Sequence, residues 1–313
     1  MRAAVMLAVL NVASQIAYPL VSGDTQDLLT IISVLLFFAS SIAHCVATRS
    51  LGSGFAVVLV CVGGGLAAEA IGWRTGWPFG NYRYGESLGP KLLGVPLVVP
   101  LAWAMMGWPA LLAGRYASGR GAHGYGAGRG VIGHGVDARA VTNAALADGE
   151  RAAAVTPKAR LITAVVGSLV LTSWDLFLDP QMVDAGHWSW LPTSGPWLNS
   201  IPLMNSAGWF LVGMLMIATL DRVVLGSSRL RAGDGLIWVV LGWVWFSEIF
   251  GHLVFFGRPR VAVVGGLATT VVGLTVVWGG RRSAHLDSSN SSGKLNTGVV
   301  TASSGVVEDS RVL

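Results

Sequence analysis

Apolar residues run in eight long blocks along the chain, near 3–21, 28–47, 55–73, 92–113, 160–178, 202–220, 235–256 and 261–279. Crossing the hydrocarbon core of a bilayer takes about 20 helical residues. A segment in lipid must also satisfy its backbone internally. The pattern therefore predicts an all-α fold, a polytopic membrane bundle of about eight transmembrane helices. The first block follows Arg2 closely, as a secretory signal peptide would, but no small-residue cleavage site precedes Asp24, so a retained helix is expected. Lys and Arg set the orientation. With the N-terminus inside, 16 of the 21 basic residues fall on the inner side, leaving Arg74, Arg83, Lys91, Arg258 and Arg260 outside. An N-in, C-in, multi-pass protein of the cell membrane is the expectation.

Three stretches break the apolar rhythm. Residues 115–159 are rich in Gly, Ala and Arg and are expected to form a disordered inner loop, because they cannot bury enough to offset their ordering entropy. Residues 281–313, rich in Ser and Gly, read as a disordered tail, which leaves 1–280 as one membrane bundle. No repeat suggests a transporter of paired halves. The third break, EAIGWRTGWPFGNYRYGESLGPKLLGVP from Glu69 to Pro96, is dense in Gly, aromatic and charged residues. It reads as a folded, partly re-entrant outer cap, since irregular backbone at membrane depth is tolerated only where protein or a cavity surrounds it.

Composition agrees with this reading and narrows the partners. The chain is 53% hydrophobic and only 12% charged, with mean hydropathy +0.61, against about 25% charged residues in soluble domains. The net charge of +5 is spread over loops, so no nucleic-acid partner is expected; the partner is the lipid bilayer. Cys45 and Cys61 lie inside apolar blocks and read as small buried hydrophobes.

Charge inside the blocks is rare, expensive and a pointer to function. Glu69 lies in the third block, Asp175 and Asp179 in the fifth, and Glu248 and His252 in the seventh. Both later pairs are spaced i, i+4 and so share a helix face. Pro180 is expected to end the fifth helix near Asp179. The expected topology puts all these groups in the outer half of the bundle. Two readings stand side by side: structural ion pairs with Arg74, Arg83 or Arg258, or a site. Aromatic residues crowd the same corner, with Trp188 and Trp190 expected in an interfacial belt. Trp73 and Trp174, each close to an acid in sequence, are candidates to line a substrate.

The pattern EAIGWRTGWPFGNYRYGESLGPKLLGVPLVVPLAWAMMGWP, with SWDLFLDPQMVDAGHWSW and the Glu248–His252 helix, resembles the membrane carotenoid biosynthesis family typified by the CruF carotenoid hydratases. The resemblance spans most of 55–260. It implies addition of water across the terminal double bond of an acyclic carotenoid end, giving a tertiary alcohol without a cofactor or metal. Such chemistry needs a protonated carboxylic acid, aromatic or anionic stabilisation of a tertiary cation, and a base for water. The implied catalytic group is Glu69, Asp175, Asp179, Glu248 and His252, with Asp175 or Glu69 as acid and Glu248 or His252 positioning water. Trp73, Arg74, Phe79, Tyr82, Arg83, Tyr84 and Trp174 are the implied substrate-binding set, with Arg74 and Arg83 keeping one carboxylate ionised. Nothing in the sequence fixes an oligomeric state.

Other classes fit less well. Iron hydroxylases need clustered histidines, and the six here are scattered. A magnesium-dependent prenyltransferase would use the Asp175–Asp179 spacing, but no second Asp-rich motif appears on an inner loop. A non-enzymatic carotenoid-binding membrane protein is the remaining alternative.

Overall fold

The structure, a computed structural model, describes residues 1–120, 155–192, 195–224 and 232–302, with side chains of the last helix described to Arg282. Eight helices follow one another: α1 (Arg2–Ala17), α2 (Asp24–Thr48), α3 (Leu51–Thr75), α4 (Val98–Arg115), α5 (Pro157–Asp184), α6 (Leu203–Val223), α7 (Gly235–Val254) and α8 (Pro259–Ala302). Seven of them are long and apolar enough to cross a membrane; α8 meets that description over Pro259–Arg282. Helix α3 is continuous but wound as a π-helix over Val58–Gly63.

The helix outside that set is α4, which starts at Val98, later than the expected 92–113 block. Every residue from Trp103 to Arg115 is buried, and α4 touches α2, α3, α5, α6 and α7. It faces protein rather than lipid along this length. Those five helices surround it.

Helix α5 runs through Pro180 to Asp184, one turn past its expected end. Proline removes one backbone donor and disfavours helix around it, but here the surrounding turn is fixed by buried side chains on both sides, among them Asp179 and Met182. Most of the expected 115–159 loop lies outside the described residues; its described ends are helical, through Arg120 on one side and from Pro157 on the other. Helix α8 continues past the expected boundary at 281, and residues 303–313 lie outside the described set.

One end of the bundle carries a cap of short strands. β1 (Tyr82–Tyr84) pairs antiparallel with β4 (Trp188–Trp190), matching Tyr82 with Trp190 and Tyr84 with Trp188. Two small hairpins, β2 (Lys91–Leu92) with β3 (Val95–Pro96) and β5 (Trp197–Leu198) with β6 (Ile201–Pro202), complete it. The 69–96 stretch thus leaves α3 at Gly76, whose positive φ of 74° ends the helix, and enters a strand whose partner lies about a hundred residues away in sequence. A hydrogen bond of 2.7 Å between Ser87 Oγ and His187 Nδ1 ties the two halves of the cap together.

A candidate active site beneath the cap

A cavity of about 500 Å³ opens under β1 and β4 and is bounded by α1 to α7. Its walls are mostly apolar, and four acidic residues reach it: Glu69, Asp175, Asp179 and Glu248. The buried face of α3 carries Gly65, Glu69 and Gly72, spaced as one helix stripe. Gly72 is required there, since a Cβ would come 2.7 Å from the Phe79 ring and 3.1 Å from the Tyr82 hydroxyl.

Neutral donors surround Glu69. Tyr82 and Tyr84 donate their hydroxyls to Oε2 at 2.7 and 2.8 Å, and Trp103 Nε1 donates to Oε1 at 3.1 Å. Burial, and the charge of Glu69 beside them, hold both phenols well above the ordinary tyrosine range, so they remain donors. Asp175 and Asp179 share one amide: Asn205 Nδ2 donates to Asp175 Oδ2 at 2.9 Å and to Asp179 Oδ2 at 2.6 Å. Asp179 Oδ1 also accepts from the indoles of Trp188, at 2.5 Å, and Trp190, at 3.2 Å. Among the described residues, no Lys, Arg or His pairs with Glu69, Asp175 or Asp179. Three carboxyl groups in a mostly apolar pocket are therefore held, among the described residues, by amide, indole and phenol donors alone.

Glu248 stands at another wall, where Trp174 Nε1 donates to Oε1 at 3.3 Å. His252, fully buried, sits behind it with Nε2 3.7 Å from Glu248 Oε2 and its ring stacked on Phe177. Trp103 lies flat on Trp209 at 3.9 Å, and Trp174 meets Trp209 edge-on at 6.0 Å. These rings line the cavity between the acids, where π faces can stabilise a cation.

Of the residues singled out from the sequence, Glu69, Asp175, Asp179, Glu248, Phe79, Tyr82, Tyr84 and Trp174 line the cavity; Trp73, Arg74, Arg83 and His252 do not. Trp73 falls beside the buried stripe of α3, packs over Gly94 and is 40% exposed. Arg74 lies over the Trp73 ring and donates to the Ala70 carbonyl at 3.0 Å. Arg83 points to the exposed side of β1, where strand alternation puts it opposite Tyr82 and Tyr84. Arg258, the third expected partner of the buried acids, instead pairs with Asp184. Neither Arg74 nor Arg83 can tune a carboxylate from where it stands.

Sequence reasoning missed Asn205, Trp103 and Trp209 and assigned Trp188 and Trp190 to a lipid-interface belt. The pairing of β1 with β4 turns those two indoles onto Asp179. The signal available was the WSW alternation, which places both indoles on one face of a strand. Among the described residues, no three His, Cys, Asp or Glu side chains are grouped as a metal shell.

Comparison with known proteins shows the family. Residues 29–275 match the model of the family described as "Carotenoid biosynthesis protein". The chain is 30% identical over 210 residues to a bisanhydrobacterioruberin hydratase of Haloarcula japonica, an alignment that covers 64% of this chain and 58% of that protein. The chain thus spans somewhat more than half the length of that relative. No solved structure matches. A family match over residues 29–275, which takes in the three helices that carry the acids, α3, α5 and α7, places this chain in the carotenoid biosynthesis protein family.

Proposed function

We propose that the protein is a carotenoid hydratase, adding water to the terminal double bond of an acyclic carotenoid end. The observation that carries this reading is the Asp175–Asn205–Asp179 bridge facing Glu69 in an otherwise apolar, aromatic-lined cavity. Unactivated alkenes require a strong acid, and a carboxylic acid in an apolar pocket can be kept protonated at neutral pH.

The donor pattern divides the roles. Glu69 and Asp179 each receive three side-chain donors, which favour a carboxylate. Asp175 receives one, on Oδ2, and shares it with Asp179. Asp175 is thus the acid, with Oδ1 unengaged by any described donor. It gives its proton to one alkene carbon, and the electron pair of the double bond forms the new C–H bond. A tertiary cation remains, stabilised by the anions of Glu69 and Asp179 and the faces of Trp103, Trp174 and Trp209. A water oxygen then bonds to the cation, and Glu248 takes the released proton. His252, behind Glu248, positions that carboxylate rather than touching substrate. The Asp175 proton is restored through water, so the sum is alkene plus water to alcohol, with no change of redox state.

The relative named a hydratase supports this reaction class. The test is expression in a host that accumulates lycopene or γ-carotene. A product heavier by one water is expected, and it should disappear in Asp175→Asn. A protein that binds carotenoid stoichiometrically without forming alcohol would favour the non-enzymatic reading.

A further inference from the structure

Glu69, Asp175 and Asp179 line the cavity from α3 and α5; a further wall is formed by α7. Trp243, Phe246 and Phe250, spaced i, i+3, i+7, share a helix face and line the cavity with Phe255. Their rings touch in series. Trp243 to Phe246 is 6.0 Å between centroids, Phe246 to Phe250 is 5.5 Å at 14°, and Phe250 to Phe255 is 5.9 Å. The three phenylalanines are nonetheless 57%, 45% and 45% exposed. Across the mouth stand Ile16, in the last turn of α1, and Leu20, in the short 3₁₀ turn that follows it, 53% and 68% exposed. One hydrogen bond, Trp243 Nε1 to Gln15 Oε1 at 2.7 Å, fastens α1 to α7. Rings that both line a cavity and stand open on a membrane-spanning helix mark a lateral mouth.

We propose that this ring ladder is the subsite for the conjugated chain of the substrate, which lies along α7 and leaves the protein into the bilayer through the α1–α7 mouth. The identity of the occupant rests on the hydratase reading; the direction of access rests on the ladder. A cavity of about 500 Å³ suits a drug-sized ligand, so it holds the reacting end and part of a long polyene, and the remainder must lie outside. A conjugated chain is flat and stiff, and loses little conformational freedom when it stacks on the near-parallel Phe246 and Phe250 rings. A saturated lipid tail has to be ordered first. The ladder therefore selects a long polyene over both lipid tails and short isoprenoids with the same reacting end.

The test uses the full-length protein in nanodiscs. Binding of lycopene, read from its absorbance shift, is measured alongside competition by a short acyclic isoprenoid alkene with the same end. In Phe246→Ala/Phe250→Ala, affinity for the polyene should fall about tenfold per ring, while the short alkene shifts by less than about twofold. Phe250→Leu, which keeps apolar bulk but removes the ring face, should show most of the single-site loss and fold normally. Equal shifts for both ligands, no shift for either, or a Leu variant equal to wild type would overturn the ladder; the rings would then face lipid or a second copy of the chain. Ladder-dependent binding without conversion would refute the hydration reading and leave the ladder standing.

Discussion

Away from the cap, Asp221 is held by Arg115, whose Nε lies 2.8 Å from Oδ1, and by Arg120, while Asp234 is held by Arg49 at 2.8 Å with His44 nearby. Under the cap, Glu69, Asp175 and Asp179 are buried as deeply yet, among the described residues, meet only amide, indole and phenol donors. Both ends bury carboxylates, but only one end neutralises them. A guanidinium fixes a carboxylate as a permanent anion and makes it a fastener between helices: α4 to α6 in one case, α2 to the start of α7 in the other. Neutral donors orient an acid without adding a fixed positive charge, and where a single one reaches it, as at Asp175, the acid is left free to give up a proton and take one back. The expectation that the cap-end acids are structural ion pairs describes the wrong end of the molecule.

The contrast can be broken most severely at Asp175. Asp175→Asn keeps the shape and the Asn205 contact but removes the transferable proton, so hydrated product should fall by about 10²–10⁴-fold with folding and carotenoid binding retained; chromatography of pigment extracts reads it. The opposite end should respond in stability rather than in chemistry. Asp221→Asn leaves the Arg115 and Arg120 charges uncompensated and should cost about 3–5 kcal/mol, seen as a large drop in thermal unfolding temperature in detergent, while turnover per folded molecule is preserved. If Asp221→Asn abolished turnover without destabilising, the division between the two ends would be wrong.

Smaller effects sharpen the same point. Tyr84→Phe removes one donor from Glu69, a charge-assisted bond of about 1.5–3 kcal/mol, and should slow turnover by roughly ten- to a hundredfold. Because both phenols are held above the ordinary tyrosine range, they stay protonated as pH rises through that range. The alkaline limb of the pH–rate profile should accordingly be the same in Tyr84→Phe as in wild type. A limb that vanished with the hydroxyl would show the phenol titrating in the reaction. The smallest effect belongs to Arg74→Gln and Arg83→Gln, which stand outside the cavity and should leave the rate within about twofold. A large loss in either would return a cation to the site.

Much of this was legible in the sequence, and the limits have physical causes. The apolar blocks located the spans because lipid demands length and hydrophobicity. The intramembrane acids announced themselves because charge there needs a reason, and the i, i+4 spacings put Asp175 with Asp179 and Glu248 with His252. Which side of a helix faces the cavity was not legible: Trp73 is as close to Glu69 in sequence as His252 is to Glu248, yet the stripe of Gly65, Glu69 and Gly72 leaves Trp73 outside. Asn205 gave no signal, since one asparagine at the start of an apolar span is unremarkable until Asp175 and Asp179 meet it. The role of Trp188 and Trp190 depends on pairing between β1 and β4, a contact between distant segments that local pattern cannot specify. The central position of α4 was not legible either, since its apolar block reads like the others and only the packing shows that Trp103 to Arg115 face protein.

The most direct test of the central claim, that unpaired acids under the cap hydrate a carotenoid end, is product mass in a lycopene-accumulating host carrying wild type or Asp175→Asn at matched protein level. The expected result is a product heavier by one water with wild type and none with Asp175→Asn, while both proteins retain bound pigment. Equal hydrated product from the two, or none from the wild type despite bound carotenoid, would contradict it.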